Sequence, residues 1–89
     1  MMYCVFIREK PDVTGLNRTD SAARYTMLAN DYIQKLKNRF PEITDSDSTV
    51  LGVVFIDVPD QCAARIKNDI EKEFNCIVLS AVLPMELIQ

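Results

Sequence analysis

The chain contains no histidine and only two glycines among its 89 residues. Without histidine, Ser-His and Cys-His nucleophilic catalysis and histidine-ligated metal sites are excluded. Two separate glycines, Gly15 and Gly52, cannot form a loop that cradles phosphates, which excludes P-loop and Rossmann nucleotide binding. We therefore expect neither a cofactor nor a metal ion.

Cysteine and long apolar runs are also scarce. The three cysteines, Cys4, Cys62 and Cys76, are odd in number and lack C-x-x-C spacing, as is typical of reduced thiols in a core. The apolar residues 1–7 are too few for a signal peptide or a membrane span, and charged residues 8–10 follow at once. We therefore expect a cytoplasmic protein with no membrane association.

Charge is unevenly distributed along the chain, although the formal net charge is only −3. Residues 1–40 hold seven Lys and Arg against four acids, and residues 41–89 hold three against nine. One interpretation is a solvated surface with complementary halves, and the other is a cationic pocket near the first helix for a small anionic ligand. Nucleic acid is not expected as a partner, because an acidic domain without a basic and aromatic stripe lacks the necessary electrostatic footprint.

Residues 50–59 form the one long run that is apolar on both alternating faces, so they are predicted to be the central strand. The whole chain is long enough for a single domain, residues 1–89, which buries only about 60–65% of its unfolded surface. Both features favour association with a second subunit. The two predicted faces are Leu51, Val53 and Phe55 on one side, and Val50, Val54, Ile56 and Val58 on the other.

Two further strands and two helices are predicted around this run. Residues 3–8 and 76–83 are rich in apolar and β-branched residues, and prolines follow both segments. Apolar residues at spacings of three and four predict helices at about residues 19–40 and 59–74. Residues 42–49 are predicted to be a polar loop, or a loop with a very short edge strand around Ile43.

The ends of the helices have recognisable signals. Thr19 or Asp20 is expected to cap the first amides of the long helix, and Pro41 to stop it. Asn75 is expected to end the second helix in a left-handed conformation.

This order, β-α-(β)-β-α-β, predicts an α+β fold of the ferredoxin-like, split βαβ plait type. In that fold both helices pack on one face of a mostly antiparallel sheet, and a second subunit covers the other face. The alternative is a doubly wound βαβαβ sheet with one helix on each face. The plait is preferred because the short link at residues 74–76 suits an antiparallel return beside the first strand. A homodimer is the expected assembly.

Two parts of the chain resemble YciI-like proteins. The first is residues 3–12 (Tyr-Cys-Val-Phe-Ile-Arg-Glu-Lys-Pro-Asp) followed by residues 18–28, and the second is residues 51–65 followed by residues 74–84. The resemblance covers most of the chain. It implies a sheet-to-sheet dimer with a small-molecule cleft between the long loop, the first helix and the sheet.

The chain departs from YciI-like proteins at the family's reactive residues. The family is associated with a histidine at the start of the first helix, and Arg24 takes its approximate place here. The family's second strand, which carries an aspartate and glycines, is replaced by residues 41–48. Because arginine stays protonated, it cannot act as a base. The resemblance thus implies a divergent binding protein in which Arg8, Arg18, Arg24 and Tyr25 hold an anion.

Three functions remain open from the sequence. The first is a small homodimeric, non-enzymatic module that binds a small ligand or a protein. The second is an inhibitor or adaptor that presents its sheet edge or its acidic half to a protein partner. The third is an enzyme of the dimeric α+β barrel type, with Asp57 and either Asp45 or Asp47 as its carboxylates, although aspartates at strand ends more often cap helices.

Overall fold

The structure is a computed structural model that describes residues 1–49 and 52–81. The described chain forms strand, helix, strand, strand, helix and strand in that order, which confirms the predicted α+β class. The elements are β1 (Met2–Ile7), α1 (Arg18–Arg39), β2 (Asp45–Ser48), β3 (Val53–Asp57), a 3₁₀ turn (Asp60–Cys62), α2 (Ala63–Glu73) and β4 (Cys76–Ser80).

The four strands form one sheet in the order β2-β3-β1-β4, and every neighbouring pair is antiparallel. β1 lies inside the sheet, where Val5 pairs with Val54 of β3 and with Val78 of β4. This arrangement is compatible with the predicted split βαβ plait. It does not fit the alternative of a doubly wound sheet, whose neighbouring strands are mostly parallel.

Both helices cover the same face of the sheet. Side chains alternate along a strand, so every second residue of β1, β3 and β4 points towards the helices. The shared core contains no buried polar or charged side chain among the described residues. Its members are Tyr3, Val5, Val54, Ile56, Val58, Cys76 and Val78 from the sheet and the residues beside it, Ala29, Tyr32, Ile33 and Leu36 from α1, Ala63, Ile66 and Ile70 from α2, and Phe40 and Ile43 from the connection after α1.

The predicted short strand is present, but it lies two residues after Ile43. Ile43 itself is buried in the core, with 8% of its surface exposed. β2 consists of Asp-Ser-Asp-Ser and contributes no apolar side chain. Because this composition by itself favours a loop, β2 is a strand as a result of its pairing with β3.

The start of α1 differs from the prediction. The helix begins at Arg18, and Asn17 caps it, because the Asn17 side chain accepts a hydrogen bond from the Asp20 N–H at 2.8 Å. The prediction of Thr19 or Asp20 as the cap is therefore wrong. Asn17 is extended (φ −75°, ψ 178°), which brings its side-chain oxygen over the first free amides. The helix ends as predicted, just before Phe40 and Pro41.

The end of α2 also differs. Phe74 is extended (φ −124°, ψ 149°), and its N–H still donates to the Ile70 carbonyl at 2.9 Å. No residue other than glycine has a positive φ within residues 1–49 and 52–81, so the prediction of Asn75 as a left-handed terminator is wrong. An extended backbone carries the chain straight into β4, and the Phe74 ring packs 6.1 Å from the Tyr32 ring.

The predicted bounds of two strands reach beyond what the structure describes. The central strand, predicted over residues 50–59, is observed as β3 (Val53–Asp57), and residues 50 and 51 lie outside the described residues. The last strand, predicted over residues 76–83, is observed as β4 (Cys76–Ser80), and residues 82–89 lie outside them too. Neither α1 nor α2 is long and apolar enough to cross a lipid bilayer.

Candidate functional site

The face of the sheet opposite the helices is apolar and carries no cover from the described chain. Its side chains alternate with the core positions, so Cys4 lies between its strand neighbours Phe55 and Leu79, and Phe6 lies between Val53 and Ile77. Leu79 is 53% exposed and Phe6 is 41% exposed. We call this surface the open face, and define it as Met2, Cys4, Phe6, Val53, Phe55, Ile77 and Leu79.

The open face changes one prediction about the cysteines. All three are free thiols, and Cys76 is buried in the core as expected. Cys4, however, points away from the core and is only partly covered. Its neighbours across the strands are apolar, which is why the sequence pattern does not distinguish it from a core residue.

An acidic rim borders the open face along β2. Asp45 and Asp47 point to the same side as Phe55, and Asp45 lies directly opposite Asp57. The hollow between these side chains has a volume of about 30 Å³, which is room for about one water molecule. Within residues 1–49 and 52–81, no three Cys, Asp or Glu side chains are grouped so that they could hold a metal ion.

Carboxylates accept hydrogen bonds from two backbone amides of the outer strand β2. The Ser46 N–H donates to Asp45 Oδ1 at 2.8 Å, and the Ser48 N–H donates to Asp47 Oδ1 at 2.8 Å. A free edge strand offers such amides to any other extended chain. Here the amides of Ser46 and Ser48 already have acceptors.

The opposite outer strand, β4, is blocked in a similar way. The Val78 N–H donates to Glu71 Oε2 of α2 at 3.2 Å. Lys67 holds the other oxygen of Glu71 at 2.9 Å. The Lys67 ammonium and the Val78 amide together lower the pKa of the Glu71 carboxyl, because both stabilise its charged form. Two outer amides of β2 and one of β4 are therefore bound to carboxylates.

A second surface feature is a cleft on the helix side, between the end of β1, α1 and the residue before β3. It has a volume of about 360 Å³, which falls in the range of small-molecule sites. We call it the α1 cleft, and its described lining consists of Ile7, Glu9, Lys10, Tyr25, Leu28 and Gly52.

Tyr25 and Gly52 form one wall of the α1 cleft. Gly52 has φ +77°, a left-handed conformation that favours glycine. A Cβ placed on Gly52 would lie only 3.0 Å from Cδ1 of Tyr25. The absence of a side chain at Gly52 thus lets the tyrosine ring lie directly against the backbone.

Glu9 and Lys10 supply the charges of the α1 cleft. The Tyr32 hydroxyl donates to Glu9 Oε1 at 3.1 Å, and burial together with this carboxylate raises the pKa of Tyr32 to about 12. Tyr32 lies seven residues after Tyr25, on the same stripe of α1, so the helix fixes Glu9 at the edge of the cleft. Lys10 makes no hydrogen bond or ion pair with any other described residue, and its ammonium is free to meet a ligand.

The four residues predicted to hold a ligand do not all meet at one place. Tyr25 lines the α1 cleft, whereas the described lining includes none of Arg8, Arg18 and Arg24. Arg18 begins α1 and is exposed, and Arg24 is exposed on α1 within electrostatic range of Asp12. Arg8 acts electrostatically on Glu71 and Cys76, so its charge lies towards α2 and β4.

Sequence reasoning missed most of the α1 cleft. The sequence pattern places Glu9 and Lys10 only as charges that follow a strand, and Gly52 as a residue within the predicted central strand. A signal for the cleft was present, because Tyr25, Leu28 and Tyr32 recur at spacings of three and four on one stripe of α1. That stripe indicates a common face but not the space beside it.

Three carboxyl groups and one thiol that lie outside the open face and the α1 cleft are poorly suited to acid-base or nucleophilic chemistry. The pKa of the Asp12 carboxyl is lowered by the backbone N–H of Thr14, and that of Glu42 by Arg65, with which it pairs. A general acid at neutral pH needs a raised pKa, so Asp12, Glu42 and Glu71 are unsuited to that role. Burial raises the pKa of the Cys76 thiol to about 11, which makes it a poor nucleophile.

No family model, no curated protein and no solved structure matches this chain. Its function has to be inferred from its own geometry.

Proposed function

We propose that this protein is a small, non-enzymatic binding module that forms a homodimer by packing open face against open face. Its sheet and helices then form a ferredoxin-like plait of the dimeric α+β barrel type, as a divergent relative of the YciI-like proteins would. The observation that carries the proposal is the open face itself, a contiguous apolar surface on three neighbouring strands. The three free cysteines fit a cytoplasmic location.

The size of the open face suits a dimer of modest affinity. Three strands about 4.8 Å apart and five residues long cover roughly 250 Å² in projection, so two such faces give roughly 500 Å². The contact reaches the lower end of specific interfaces, about 1,200 Å² in total, when the relief of the side chains and the surrounding rims are buried with them. Each Å² of apolar surface removed from water contributes about 25 cal/mol, from which the cost of association is subtracted. We therefore expect a micromolar dissociation constant.

The acidic rim indicates how the two copies meet. Charged side chains are depleted from the centre of an interface and tolerated at its edge. Asp45 and Asp47 therefore lie at the periphery of the contact, and placing one β2 over another is disfavoured because the aspartates would repel. The centre of the dimer is formed by β1 and β4, with Phe6 and Leu79 as the main anchors.

The capped edges weigh against the alternative of an adaptor that binds a partner through its sheet edge. Edge pairing requires free strand amides, and those of Ser46, Ser48 and Val78 are bound to carboxylates. A partner strand would have to displace these carboxylates before it could pair. The open face needs no such displacement.

The test is the oligomeric state of variants, measured by size-exclusion chromatography with light scattering over about 1–500 μM, which spans weak and tight association. The wild-type chain is expected to pass from monomer to dimer over this range. Phe6→Lys and Leu79→Lys each place an unpaired charge in the interface and are expected to keep the chain monomeric.

Met27→Lys is the matched control, because Met27 is 62% exposed and lies on α1, away from the open face. This variant is expected to dimerise like wild type. A wild-type chain that stays monomeric at every concentration would overturn the proposal. So would open-face variants that dimerise as well as Met27→Lys while showing an unchanged circular dichroism spectrum.

A further inference from the structure

The α1 cleft combines one carboxylate, one ammonium and an apolar wall, and it lies on the helix side of the sheet. Its charged members, Glu9 and Lys10, are adjacent in sequence and follow β1 directly. Its apolar members are Ile7 and Leu28, together with the ring of Tyr25. No part of this lining belongs to the open face, so a ligand here does not compete with the dimer contact.

The two charges are available to a ligand in different ways. The Tyr32 hydroxyl occupies one oxygen of Glu9 and fixes the carboxylate, which leaves the second oxygen to accept from a ligand. Lys10 has no partner among the described residues and presents three N–H donors. A simple anion would be attracted by Lys10 but repelled by Glu9. A simple cation would be attracted by Glu9 but repelled by Lys10. A molecule that carries both charges satisfies both residues.

The remaining walls determine the body of the ligand. Ile7 and Leu28 are partly buried apolar side chains that pack against the core. The Tyr25 ring lies close to Gly52, where a Cβ would come within 3.0 Å of its Cδ1, and gives the cleft an aromatic surface. A volume of about 360 Å³ suits a metabolite rather than a polymer.

We propose that the α1 cleft binds a small zwitterion with an apolar body, of which a free α-amino acid with a large apolar side chain is the simplest example. Lys10 holds the carboxylate, Glu9 holds the ammonium, and Tyr25 and Leu28 contact the apolar body. This inference names the ligand class of the proposed binding module, and so rests on its being a binding module, but it does not depend on the dimer.

Three probes that share one phenyl ring test the inference. L-phenylalanine carries both charges, 3-phenylpropanoate only the carboxylate, and 2-phenylethylamine only the ammonium. Titrated into the ¹⁵N-labelled full chain and followed by NMR, L-phenylalanine is expected to give saturable shifts of the amides of residues 7–10, 25–28 and 52. Each single-charge probe is expected to bind at least tenfold more weakly, because one of the two charge-assisted contacts, to Glu9 or to Lys10, is lost.

Variants of the two charged residues give the second arm of the test. Lys10→Met and Glu9→Gln are each expected to weaken L-phenylalanine binding at least tenfold, while Glu9→Gln retains an oxygen that accepts from Tyr32. Lys37→Met is the control, because it removes an exposed lysine in the last turn of α1. This variant is expected to bind like wild type.

Two outcomes would overturn the inference. One is that 3-phenylpropanoate or 2-phenylethylamine binds as tightly as L-phenylalanine, which would make the cleft a site for a singly charged ligand. The other is that none of the three probes gives saturable shifts in a folded chain. The monomeric Leu79→Lys variant separates this test from the dimer proposal, since it is expected to bind L-phenylalanine with unchanged affinity.

Discussion

At the residue scale, the two glycines differ in what surrounds them. Both have a positive φ, +78° at Gly15 and +77° at Gly52. A Cβ on Gly15 would meet no heavy atom within 4 Å, whereas one on Gly52 would meet the Tyr25 ring at 3.0 Å. The same substitution at the two positions therefore separates backbone strain from the packing of the cleft wall.

We predict that Gly15→Ala lowers the free energy of unfolding by about 1–2 kcal/mol, the cost of a left-handed conformation for an L-residue. Gly52→Ala is expected to lower it by more, because the Tyr25 ring must also move. Urea denaturation monitored by circular dichroism measures both losses. Equal losses at the two positions would show that the contact between Tyr25 and Gly52 contributes nothing to stability.

At the element scale, the two outer strands are protected by different devices. β2 uses the aspartates of its own sequence, Asp45 and Asp47, to bind its outer amides. β4 has no acid of its own and relies on Glu71 of α2. Protection of β4 therefore depends on the docking of a helix, while protection of β2 is local.

We predict that Glu71→Ala lowers the urea midpoint more than Glu73→Ala does, and that it alone promotes association through β4. Both variants lose one surface ion pair, with Lys67 in the first case and with Arg39 in the second. Only Glu71→Ala also leaves the Val78 N–H without its acceptor. Denaturation curves and light scattering at high concentration measure the two effects, and indistinguishable variants would contradict this role of Glu71.

The same residue gives an expected pH dependence. The pKa of Glu71 is lowered in the folded chain, so its stabilising contribution is complete above its ordinary value of 4.5. This contribution is lost as the pH falls through the lower, folded-state pKa. Wild type is therefore expected to lose more stability than Glu71→Ala on acidification below pH 4.5, and parallel pH profiles would contradict the assignment.

At the scale of the whole molecule, residues 1–49 and 52–81 form two layers and leave one face of the sheet without a third. A domain of this size has too little chain to supply a third layer, and we propose that a second copy provides it. Cys4 reports on this contact, because it lies at the centre of the open face. Cys62 lies beside the core at the start of α2 and serves as an internal control.

We predict that labelling of Cys4 by a thiol reagent slows as the protein concentration rises, whereas labelling of Cys62 does not. The proposed dimer would cover Cys4 and leave the helix side unchanged. Mass spectrometry of the two peptides from one sample measures both rates. In Leu79→Lys, the rate at Cys4 is expected to be independent of concentration, and a concentration-independent rate in wild type would contradict the proposed interface.

The sequence predicted the helices and most strands better than the helix caps, the edge strand and the lining of the cleft. Spacings of three and four identified α1 and α2, because the apolar stripe of a helix is a local property. The sequence pattern did not identify Asn17 as the cap of α1, and it wrongly predicted Asn75 as the left-handed end of α2. Both ends depend on how the chain enters or leaves the helix. The pattern also left β2 undecided, because four polar residues form a strand only when β3 lies beside them. Of the four predicted ligand residues, only Tyr25 lines the cleft that the structure shows.

The sequence by itself determined the α+β class, the apolar central strand and the absence of histidine chemistry. Each follows from composition or from patterns within a few residues. Only the tertiary structure decided that both helices cover one face, that carboxylates bind the amides of both edges, and that Glu9, Lys10 and Tyr25 share a cleft. The physical reason is that the spacing of apolar residues along a helix or strand specifies which of its side chains share a face. Which element covers that face depends on residues far away in the chain.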